Sequence, residues 1–205
     1  DERVGRLVLI VRDAARGEAV AQPLRAHAEV IVSVCDLADP AAVASCAEAL
    51  CRQLGAGGLD VLINCAAVAP LARQETAGGL EMQFAVNTLA YFVLMRRLLP
   101  AMPPGGRVVL VASQLARDLD LSDLQWERRE YTPRAAYAAS KKAIRLLAAE
   151  AAEPGRGFEE AGVSVSSCHP GYVTSGLTRN LGQSDRLSDG VSEDRRLDSA
   201  SSAAE

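Results

Sequence analysis

The stretch RVVLVA, from Arg107 to Ala112, is short, rich in valine and preceded by a glycine. A continuous apolar run of this length is typical of a parallel strand that is buried on both faces of a sheet. Four further runs share these properties, namely Arg6–Val11, Glu29–Val34, Leu59–Asn64 and Val163–Cys168. The sequence therefore predicts five buried strands.

Helical segments lie between the predicted strands. The second of them follows Asp39-Pro40 and stops before Gly55, which are common signals for the start and the end of a helix. The segments run from Ala14 to about His27, from Ala41 to Leu54, from about Leu80 to Met102 and from Ala135 to about Ala152. This alternation predicts an α/β fold with a doubly wound, mostly parallel, Rossmann-like sheet.

The 205-residue chain has 49% hydrophobic residues and a formal net charge of −4, as expected for one globular domain. No basic stretch indicates a nucleic-acid partner, so small molecules are the expected partners. The aliphatic run Leu7–Val11 is too short for a signal sequence or a membrane span, and a cytoplasmic location is the default expectation. We expect one domain over residues 1–181 and a disordered tail over residues 182–205, which contain few large apolar side chains.

The five cysteines lack Cys-x-x-Cys spacing, and their odd number argues against a closed disulfide framework. We interpret them as small core residues. Cys168 precedes His169, but the only other histidine, His27, lies in a different predicted element. No metal site is therefore expected.

The segment YAASK places Tyr137 and Lys141 four residues apart on one face of the last predicted helix. A free tyrosine titrates near pH ~10, but an ammonium within ~4–6 Å favours the phenolate and lowers an acid's pKa by roughly 1–3 units. The pair is therefore a candidate proton donor whose pKa is tuned by the lysine. The alternative is a half-buried helix tyrosine beside a solvated lysine.

Ligands of open parallel sheets bind beyond the carboxyl ends of the strands, so the residues that follow each predicted strand are candidates for a site. Together with Asn87 and the YAASK segment, they form an ordered series of motifs. The series comprises Val11-Arg12-Asp13, Cys35-Asp36-Leu37, Asn64-Cys65-Ala66-Ala67, Ala112-Ser113 and HPGYVTS at residues 169–175. From Arg6 to Leu181 the chain resembles the short-chain dehydrogenase/reductase family.

Within that family the chain is similar to the retinol-dehydrogenase-like and carbonyl-reductase-like branch. The segment Gln114–Arg134 is longer than the corresponding loop of compact members and contains the only tryptophan, Trp126. Its sequence DLQWER at residues 123–128, followed by Tyr131, is similar to the segment that this branch carries there. A loop of this length within a compact domain is often functional.

The resemblance implies catalytic roles for four residues. Tyr137 passes a proton to or from the substrate oxygen while a nicotinamide cofactor carries the hydride. Lys141 holds the nicotinamide ribose and lowers the pKa of Tyr137, and Ser113 donates a hydrogen bond to the same substrate oxygen. Asn87 holds a water molecule in the proton relay. From the residues alone, Ser113 could instead cap a loop.

The resemblance also implies a cofactor site. Asp36 meets the adenine edge with Leu37 packed near it, although an Asp at this position could also simply end a strand. Arg12 follows the strand whose end faces the adenosine ribose, and a cation there suits a 2′-phosphate, which favours NADP over NAD. Asp13 directly follows Arg12 and reduces the local positive charge. The remaining expected cofactor contacts are Asn64, Ala66, Lys141, Pro170, Gly171, Val173 and Ser175.

Two features depart from the family pattern. The family's Asn-Asn-Ala-Gly is here Asn64-Cys65-Ala66-Ala67, which removes one polar side chain and adds a Cβ where backbone approaches the cofactor. The family also opens with a strand and a glycine-rich turn that cradles the pyrophosphate, and these 205 residues contain no such turn. We therefore expect a gap in the sheet with two unpaired inner edges. Either the chain is an incomplete piece of a longer polypeptide, or another of its segments fills the gap.

These patterns predict an oxidoreductase that transfers a hydride between NADP(H) and a lipophilic alcohol/carbonyl substrate. The alternative is a non-catalytic relative that has lost the pyrophosphate site and acts as a binding or scaffold protein. An extended nucleotide-sugar epimerase also uses Tyr-x-x-x-Lys, but the Pro170-Gly171 segment argues against it. Family members commonly pair through two long helices, here Leu80–Met102 and Ala135–Ala152, so a homo-oligomer is an expectation. We expect residues 1–205 alone to bind NADPH poorly and to show no carbonyl reduction.

Overall fold

The computed structural model describes residues 4–174, Leu177, Asn180, Leu181 and residues 196–198, and of Tyr172, Thr174 and residues 196–198 the backbone alone. The described strands are β1 (Arg6–Val11), β2 (Glu29–Val34), β3 (Val61–Asn64), β4 (Arg107–Val111), β5 (Ser164–Cys168), β6 (Tyr172–Thr174) and β7 (Arg196–Asp198). The described helices are α1 (Ala14–Leu24), α2 (Pro40–Leu54), α3 (Met82–Phe84), α4 (Ala90–Leu98) and α5 (Pro133–Ala151). A π-helical turn, Ala85–Leu89, joins α3 to α4, and a 3₁₀ turn, Leu99–Ala101, follows α4. The predicted α/β fold is confirmed.

Each strand pair is parallel. Strand β1 pairs with β2 from Arg6 opposite Glu29 to Val11 opposite Val34. Strands β3, β4 and β5 form a second sheet with β4 in the middle, and β6 pairs with β7. In the described part of the chain, β1 pairs only with β2 and β3 pairs only with β4. The two larger sheets are therefore separate, which agrees with the gap that the sequence predicts.

Polar caps start the helices directly after strands or loops. The Asp13 carboxylate accepts a hydrogen bond from the backbone N–H of Arg16 at 2.9 Å, which starts α1. Asp39 accepts from two backbone N–H groups of α2, and Thr132 accepts from the first turn of α5. Both of these caps precede a proline, whose fixed φ suits the first helical position. The helix starts are therefore encoded locally in the sequence.

Helix α1 lies unusually close to the first sheet. A Cβ added to Gly17 would approach Cγ2 of Val11 to 2.7 Å and Cγ1 of Val32 to 2.8 Å. Real side chains do not tolerate contacts this short, so glycine is required at this point of α1. This packing fixes α1, and with it the cap at Asp13, against the end of β1.

One continuous core links the two larger sheets. Buried apolar side chains of α2, α4 and α5 pack on one face of β3 and β4, with Val8 and Ile10 of β1 at its margin. The buried members include Val43, Leu50, Leu62, Leu94, Met95, Val108, Leu110 and Ile144. The helices therefore hold the carboxyl ends of the strands in a fixed arrangement.

The expectation that each strand is buried on both faces is wrong in places. Val61 and Ile63 of β3 are 44% and 62% exposed, and Val34 at the end of β2 is 58% exposed. Successive side chains of a strand point to opposite faces. The core covers only the face of β3 that carries Leu62 and Asn64, so the other face is open in the described part of the chain.

Two further expectations concern the tail and the membrane. Of the tail predicted at residues 182–205, only Arg196–Asp198 belongs to the described residues, and this segment forms β7. The predicted disorder of its other residues lies outside them. Among the described helices, none combines the length and the apolar character that crossing a membrane requires.

Candidate active site

The carboxyl ends of β3 and β4 meet α5 and the π-helical turn at one place. Tyr137 and Lys141 on α5 are buried there, with 7% and 1% of their surface exposed. The Ser113 hydroxyl, just after β4, is near enough to the Tyr137 phenol to act on its pKa. Asn87 in the π-helical turn contacts Ser140, which is hydrogen-bonded to the backbone carbonyl of Tyr137. The structure thus assembles the four residues for which the resemblance implies catalytic roles.

The Lys141 ammonium is held by one hydrogen bond and two aromatic rings. Its Nζ donates to the backbone carbonyl of Val111 at 2.7 Å and lies 5.6 Å from the ring centroids of Tyr91 and Tyr137. Burial lowers the pKa of Lys141 to about 8. Because an ammonium has three N–H donors and this contact uses one, Lys141 retains donors for a ligand.

Burial raises the pKa of the Tyr137 phenol, and the Ser113 side chain opposes this effect. Lys141 is not among the groups that act on this pKa, so the expected lowering by Lys141 stays a prediction. Desolvation raises the pKa because it disfavours the phenolate more than the surroundings favour it. Tyr137 is consequently a protonated phenol at neutral pH.

Asn87 is completely buried, and its side chain forms hydrogen bonds with neighbouring segments of the fold. Its Oδ1 accepts from the backbone N–H of Val68 at 2.8 Å, and its Nδ2 donates to the carbonyl of Val68 at 3.0 Å and to the Ser140 hydroxyl at 3.1 Å. These bonds tie the segment after β3 to α5. The surrounding π-helical turn is a feature that often occurs at functional sites. A water held by Asn87 stays a prediction.

Three further residues belong to this site and were missed by the sequence reasoning. Tyr91 is buried and donates from its hydroxyl to the carbonyl of Ala66 at 2.9 Å. Its position four residues after Asn87, on the same helix face, was a usable signal. The other two are Ser140, which contacts Asn87, and Cys65, which is exposed rather than part of the core. Cys168 is likewise exposed, so the core interpretation fails for these two cysteines.

The surroundings of Tyr137 are apolar. Ala69 and Leu181 are buried against it, and Ala67, Leu115 and Leu177 pack around this cluster. Asn180 closes one side by donating a hydrogen bond to the carbonyl of Ala69 at 2.9 Å. An aliphatic wall therefore adjoins the phenol.

The loop after β4 packs against the start of α5. The Asp123 carboxylate accepts hydrogen bonds from the backbone N–H groups of Glu127, Arg128 and Arg129 at 2.9–3.4 Å. Burial alone would raise the pKa of Asp123, but these backbone bonds outweigh it and lower the pKa. The Arg129 guanidinium lies 3.6 Å from the Trp126 ring centroid, and Trp126 packs in turn on α5. Asp123 is thus the internal anchor of the loop.

A buried polar network joins the same loop to α3. The Glu81 carboxylate accepts hydrogen bonds from the backbone N–H groups of Gln83 and Phe84. The backbone N–H of Glu81 donates to the side-chain oxygen of Gln125 at 2.7 Å. The Gln83 side chain donates to the Tyr131 hydroxyl at 2.8 Å. Burial raises the pKa of Glu81. The network fixes α3, which leads into the π-helical turn of Asn87, relative to the loop that carries Leu115.

The residues expected at the adenosine end lie at the ends of β1 and β2. Arg12 is exposed, whereas the carboxylate of Asp13 is engaged in the cap of α1. Asp36 accepts a hydrogen bond from the backbone N–H of Ala38 at 2.9 Å, so it also shapes the turn after β2. The Leu37 side chain packs on the core. That contact differs from the expected position beside the adenine.

The remaining expected cofactor contacts follow β3 and β5. Asn64 is buried and its Nδ2 has no hydrogen-bond partner among the described residues, while Ala66 is exposed. Pro170 and Gly171 are exposed, and Gly171 has a φ of 80°, which favours glycine. Val173 lies half-buried in β6. Ser175 lies outside the described residues.

The site fits one end of a nicotinamide cofactor. Lys141 has unused N–H donors and Asn64 has an unpaired buried amide, which suits the hydroxyl and amide groups of a nicotinamide riboside. The pyrophosphate end differs, because the described residues contain no glycine-rich turn between a strand and a helix. The same residues contain no cluster of three or more His, Cys, Asp or Glu that could hold a metal ion.

Comparison with known proteins agrees with this geometry. The sequence model of the family described as short chain dehydrogenase matches residues 3–186. Human retinol dehydrogenase 13 is 33% identical over 187 residues, which cover 88% of this chain and 55% of that protein. The chain thus spans about half the length of this relative.

Two solved structures show the same fold. A crystal structure of an uncharacterized protein from Mycobacterium paratuberculosis has a TM-score of 0.68 at 32% identity, covering 93% of this chain and 70% of that one. A metagenomic short-chain oxidoreductase in complex with NADP has a TM-score of 0.64 at 28% identity, covering 87% of this chain and 73% of that one.

Proposed function

The chain belongs to the short chain dehydrogenase family, and on this premise we propose that it is an oxidoreductase that transfers a hydride between NADP(H) and a lipophilic alcohol or carbonyl compound. The observation that carries this proposal is the convergence of Ser113, Tyr137 and Lys141 at the carboxyl ends of β3 and β4. The assembled proton donor and cation favour an enzyme over a scaffold protein.

In the proposed reduction, Tyr137 gives its phenolic proton to the substrate oxygen. Burial raises the pKa of this phenol, so the proton is present at neutral pH. The Ser113 hydroxyl acts on the same phenol and donates a hydrogen bond to the same substrate oxygen in this proposal. The cofactor, when bound, supplies the hydride.

Lys141 has two functions in this proposal. Its unused N–H donors hold the hydroxyl groups of the nicotinamide ribose, and its charge stabilises negative charge that develops on Tyr137 when the proton leaves. The carbonyl of Val111 and the Tyr91 ring hold the Lys141 ammonium near Tyr137. Tyr91 and Asn87 hold the segment that follows β3 by bonding the backbone of Ala66 and Val68.

Arg12 supports the choice of NADP. It is exposed after β1, and its acidic neighbour Asp13 turns its carboxylate to the start of α1. The start of α1 thus offsets part of the negative charge of Asp13. The exposed Arg12 guanidinium can then bind a 2′-phosphate. The presence of NADP in the metagenomic oxidoreductase is consistent with this assignment.

The aliphatic wall beside Tyr137 supports a lipophilic substrate. Leu115, Leu177 and Leu181 provide apolar surface next to the proton donor, and burying apolar substrate area against them contributes roughly 25 cal/mol per Å². The human relative is named for retinol, which is itself a lipophilic alcohol.

A cytoplasmic location and pairing of two copies are further proposals. Phe92 of α4 and Leu146 of α5 are 45% and 44% exposed, which supports pairing through these helices. Sedimentation of the full-length gene product tests the pairing, and cell fractionation tests the location.

The test of the catalytic proposal measures NADPH consumption by the full-length gene product with aldehydes of increasing chain length. Tyr137→Phe removes only the proton-donating hydroxyl, so turnover should be abolished while NADPH binding is retained. Tyr131→Phe is the matched control, because it removes a phenolic hydroxyl that bonds Gln83 and has no proposed contact with the substrate, and its turnover should stay far above that of Tyr137→Phe. Since general acid catalysis is typically worth about 10²–10⁴-fold, activity of Tyr137→Phe above about a tenth of wild type would contradict the assignment.

A further inference from the structure

Two consecutive residues of the π-helical turn bond the same residue of α5. The Asn87 Nδ2 donates to the Ser140 hydroxyl at 3.1 Å, and the Thr88 hydroxyl donates to the Ser140 carbonyl at 3.2 Å. The Ser140 hydroxyl donates in turn to the backbone carbonyl of Tyr137 at 2.8 Å. Asn87, Thr88 and Ser140 are 0%, 8% and 5% exposed, and we call these three residues the clamp. The clamp joins the turn to the residue that carries the phenol.

The hydroxyl of Thr88 has an unusual partner for a residue within a helix. A helical threonine commonly bonds a carbonyl in the preceding turn of its own helix. Thr88 instead bonds a carbonyl 52 residues away, on another helix. A π-helical turn has more residues per turn than an α-helix, so consecutive side chains diverge less. The turn at residues 85–89 thus lets Asn87 and Thr88 reach the same residue of α5.

We propose that Thr88 and Ser140 are positioning residues that hold Tyr137 and Lys141 in place for proton transfer. Ser140 lies three residues after Tyr137 and directly before Lys141, so little more than one helical turn carries all three. Because a helix moves as a stiff unit, the contacts made by Ser140 set the place of both functional side chains. The proposal rests on the proposed function, in which these two side chains are the proton donor and the cation.

The other end of the clamp is fixed to the segment after β3. Asn87 bonds the backbone of Val68 through both ends of its amide, at 2.8 and 3.0 Å. Ala69 of the same segment packs against Tyr137. Proton transfer requires two heavy atoms about 2.6–3.2 Å apart, and a misplacement of ~1 Å can cost about 10²-fold in rate. Loss of a clamp contact should therefore lower turnover as well as stability.

Steady-state kinetics of the full-length gene product with NADPH and an aldehyde test the proposal. Thr88→Val removes the hydroxyl and keeps the shape of the side chain, so kcat should fall about tenfold or more, as a small misplacement causes. The KM for the aldehyde should change little, because the aliphatic wall is untouched. Ser140→Ala removes two clamp contacts and should lower kcat further. Thr88→Ser retains the hydroxyl and should keep the kcat of wild type.

Thr76→Val is the matched control. Thr76 is also 8% exposed, and its hydroxyl accepts from the backbone N–H of Leu80 at 3.2 Å in the loop before α3. The same change at this position should leave kcat close to that of wild type. Where Thr88→Val fails to fold, Thr88→Ala takes its place with the same expectations.

Nitration of tyrosine provides a second readout that does not depend on turnover. Tetranitromethane modifies accessible phenols, and trypsin separates Tyr131 in residues 130–134 from Tyr137 in residues 135–141. Tyr137 is 7% exposed, and it should be nitrated faster in Thr88→Val and Ser140→Ala than in wild type. The nitration of Tyr131 should not change, and Thr76→Val should behave as wild type at both tyrosines.

The outcomes separate this proposal from the proposed function. A wild-type protein that does not reduce aldehydes contradicts the proposed function, and unchanged nitration of Tyr137 in both clamp variants then overturns the clamp. With an active wild type, an unchanged kcat in Thr88→Val overturns the proposal. A kcat in Thr88→Ser as low as that in Thr88→Val also overturns it, because side-chain volume rather than the hydroxyl would then set the rate.

Discussion

At the scale of single residues, Lys141 combines burial with a charge. An ammonium that is 1% exposed is less favourable in the folded chain than in water, and its pKa falls from 10.5 to about 8 for this reason. The contacts of Lys141 with Val111, Tyr91 and Tyr137 offset only part of the cost of burying its ammonium. A residue that weakens the fold at neutral pH is expected where a site requires its chemistry.

The first prediction concerns the pH dependence of stability. Because the pKa of Lys141 is about 8 in the folded chain and 10.5 ordinarily, the unfolded chain binds more protons between these values. The free energy of unfolding should therefore rise with pH across this window, by up to roughly 3 kcal/mol from this group, and the gain should be lost as pH falls through 8. Denaturant titrations of wild type and Lys141→Met from pH 7 to 10.5 measure the difference.

Lys142→Met provides the control for this prediction. Lys142 is the only other lysine and is less deeply buried than Lys141. Its replacement should leave the pH-dependent rise in place. Lys141→Met should also weaken both NADPH binding and turnover. An unchanged pH dependence in Lys141→Met would show that its ammonium is not desolvated in solution.

The second prediction concerns cofactor choice. Arg12→Ala should weaken binding of NADPH by about 1.5–3 kcal/mol, the usual contribution of a hydrogen bond to a charged group, and should leave NADH almost unchanged. Arg16→Ala, an exposed arginine in the first turn of α1, is the matched control. Calorimetric titration with both cofactors measures the effect. Equal losses for NADPH and NADH would contradict the role of Arg12.

At the scale of elements, the loop between β4 and α5 is ordered by its own polar contacts. Trp126 adopts a positive φ of 56°, which is strained for a bulky residue. The carboxylate of Asp123 collects the N–H groups of the following residues, and Arg129 covers the Trp126 ring. These contacts keep a strained loop in one conformation beside Leu115, which contacts the Tyr137 cluster.

The third prediction tests this anchor. Asp123→Asn removes the charge that three backbone N–H groups share, so the loop should open more often and trypsin should cleave faster after Arg128 and Arg129. Asp118→Asn is the control, because Asp118 is exposed and asparagine tolerates its positive φ of 53°. Limited proteolysis measures both variants. Equal cleavage rates for wild type and Asp123→Asn would refute the anchoring role.

At the scale of the whole molecule, the two larger sheets share a core but not a hydrogen-bonded edge. Among the described strands, β1 and β3 each have one partner, and β3 presents exposed Val61 and Ile63. Unpaired apolar edges are templates for association with another chain. The open edges of β1 and β3 are therefore expected to promote self-association of the chain.

The fourth prediction follows from these edges. Residues 1–205 alone should self-associate as concentration rises, and Ile63→Lys should suppress this because a charge on an edge strand opposes pairing. Leu71→Lys is the control, since Leu71 is 71% exposed but lies outside the strands. Sedimentation velocity over a concentration series measures both variants. A monomeric wild-type chain at all concentrations would disprove the prediction.

The fifth prediction concerns cofactor affinity of the same 205 residues. The described residues offer Lys141 and Asn64 to the nicotinamide end but no glycine-rich turn to the pyrophosphate. We therefore expect weak NADPH binding and no measurable carbonyl reduction by residues 1–205 alone. Calorimetric titration alongside a melting curve measures this. Micromolar binding with a cooperative melt would show that another segment supplies the missing contacts.

The sequence by itself determined the order of the elements and most residues of the candidate site. β1 and β2 have the bounds predicted from their apolar runs, and Asp39 and Pro40 start α2 as their local signals indicate. Ser113 and Tyr137 were found because strand ends and helix spacing are local properties of the chain. The family followed from motif order, and its branch from the length and sequence of the Gln114–Arg134 loop.

The tertiary structure decided what depends on burial and on contacts between distant residues. It buried the Tyr137 phenol and so raised its pKa, because desolvation depends on neighbours that are far away in sequence. It placed the Asn87 side chain in hydrogen bonds with Val68 and Ser140, and it brought the Cys46 thiol within 3.3 Å of the Ser33 hydroxyl. It also left Cys65 exposed, since an apolar strand pattern does not state which sheet faces are covered.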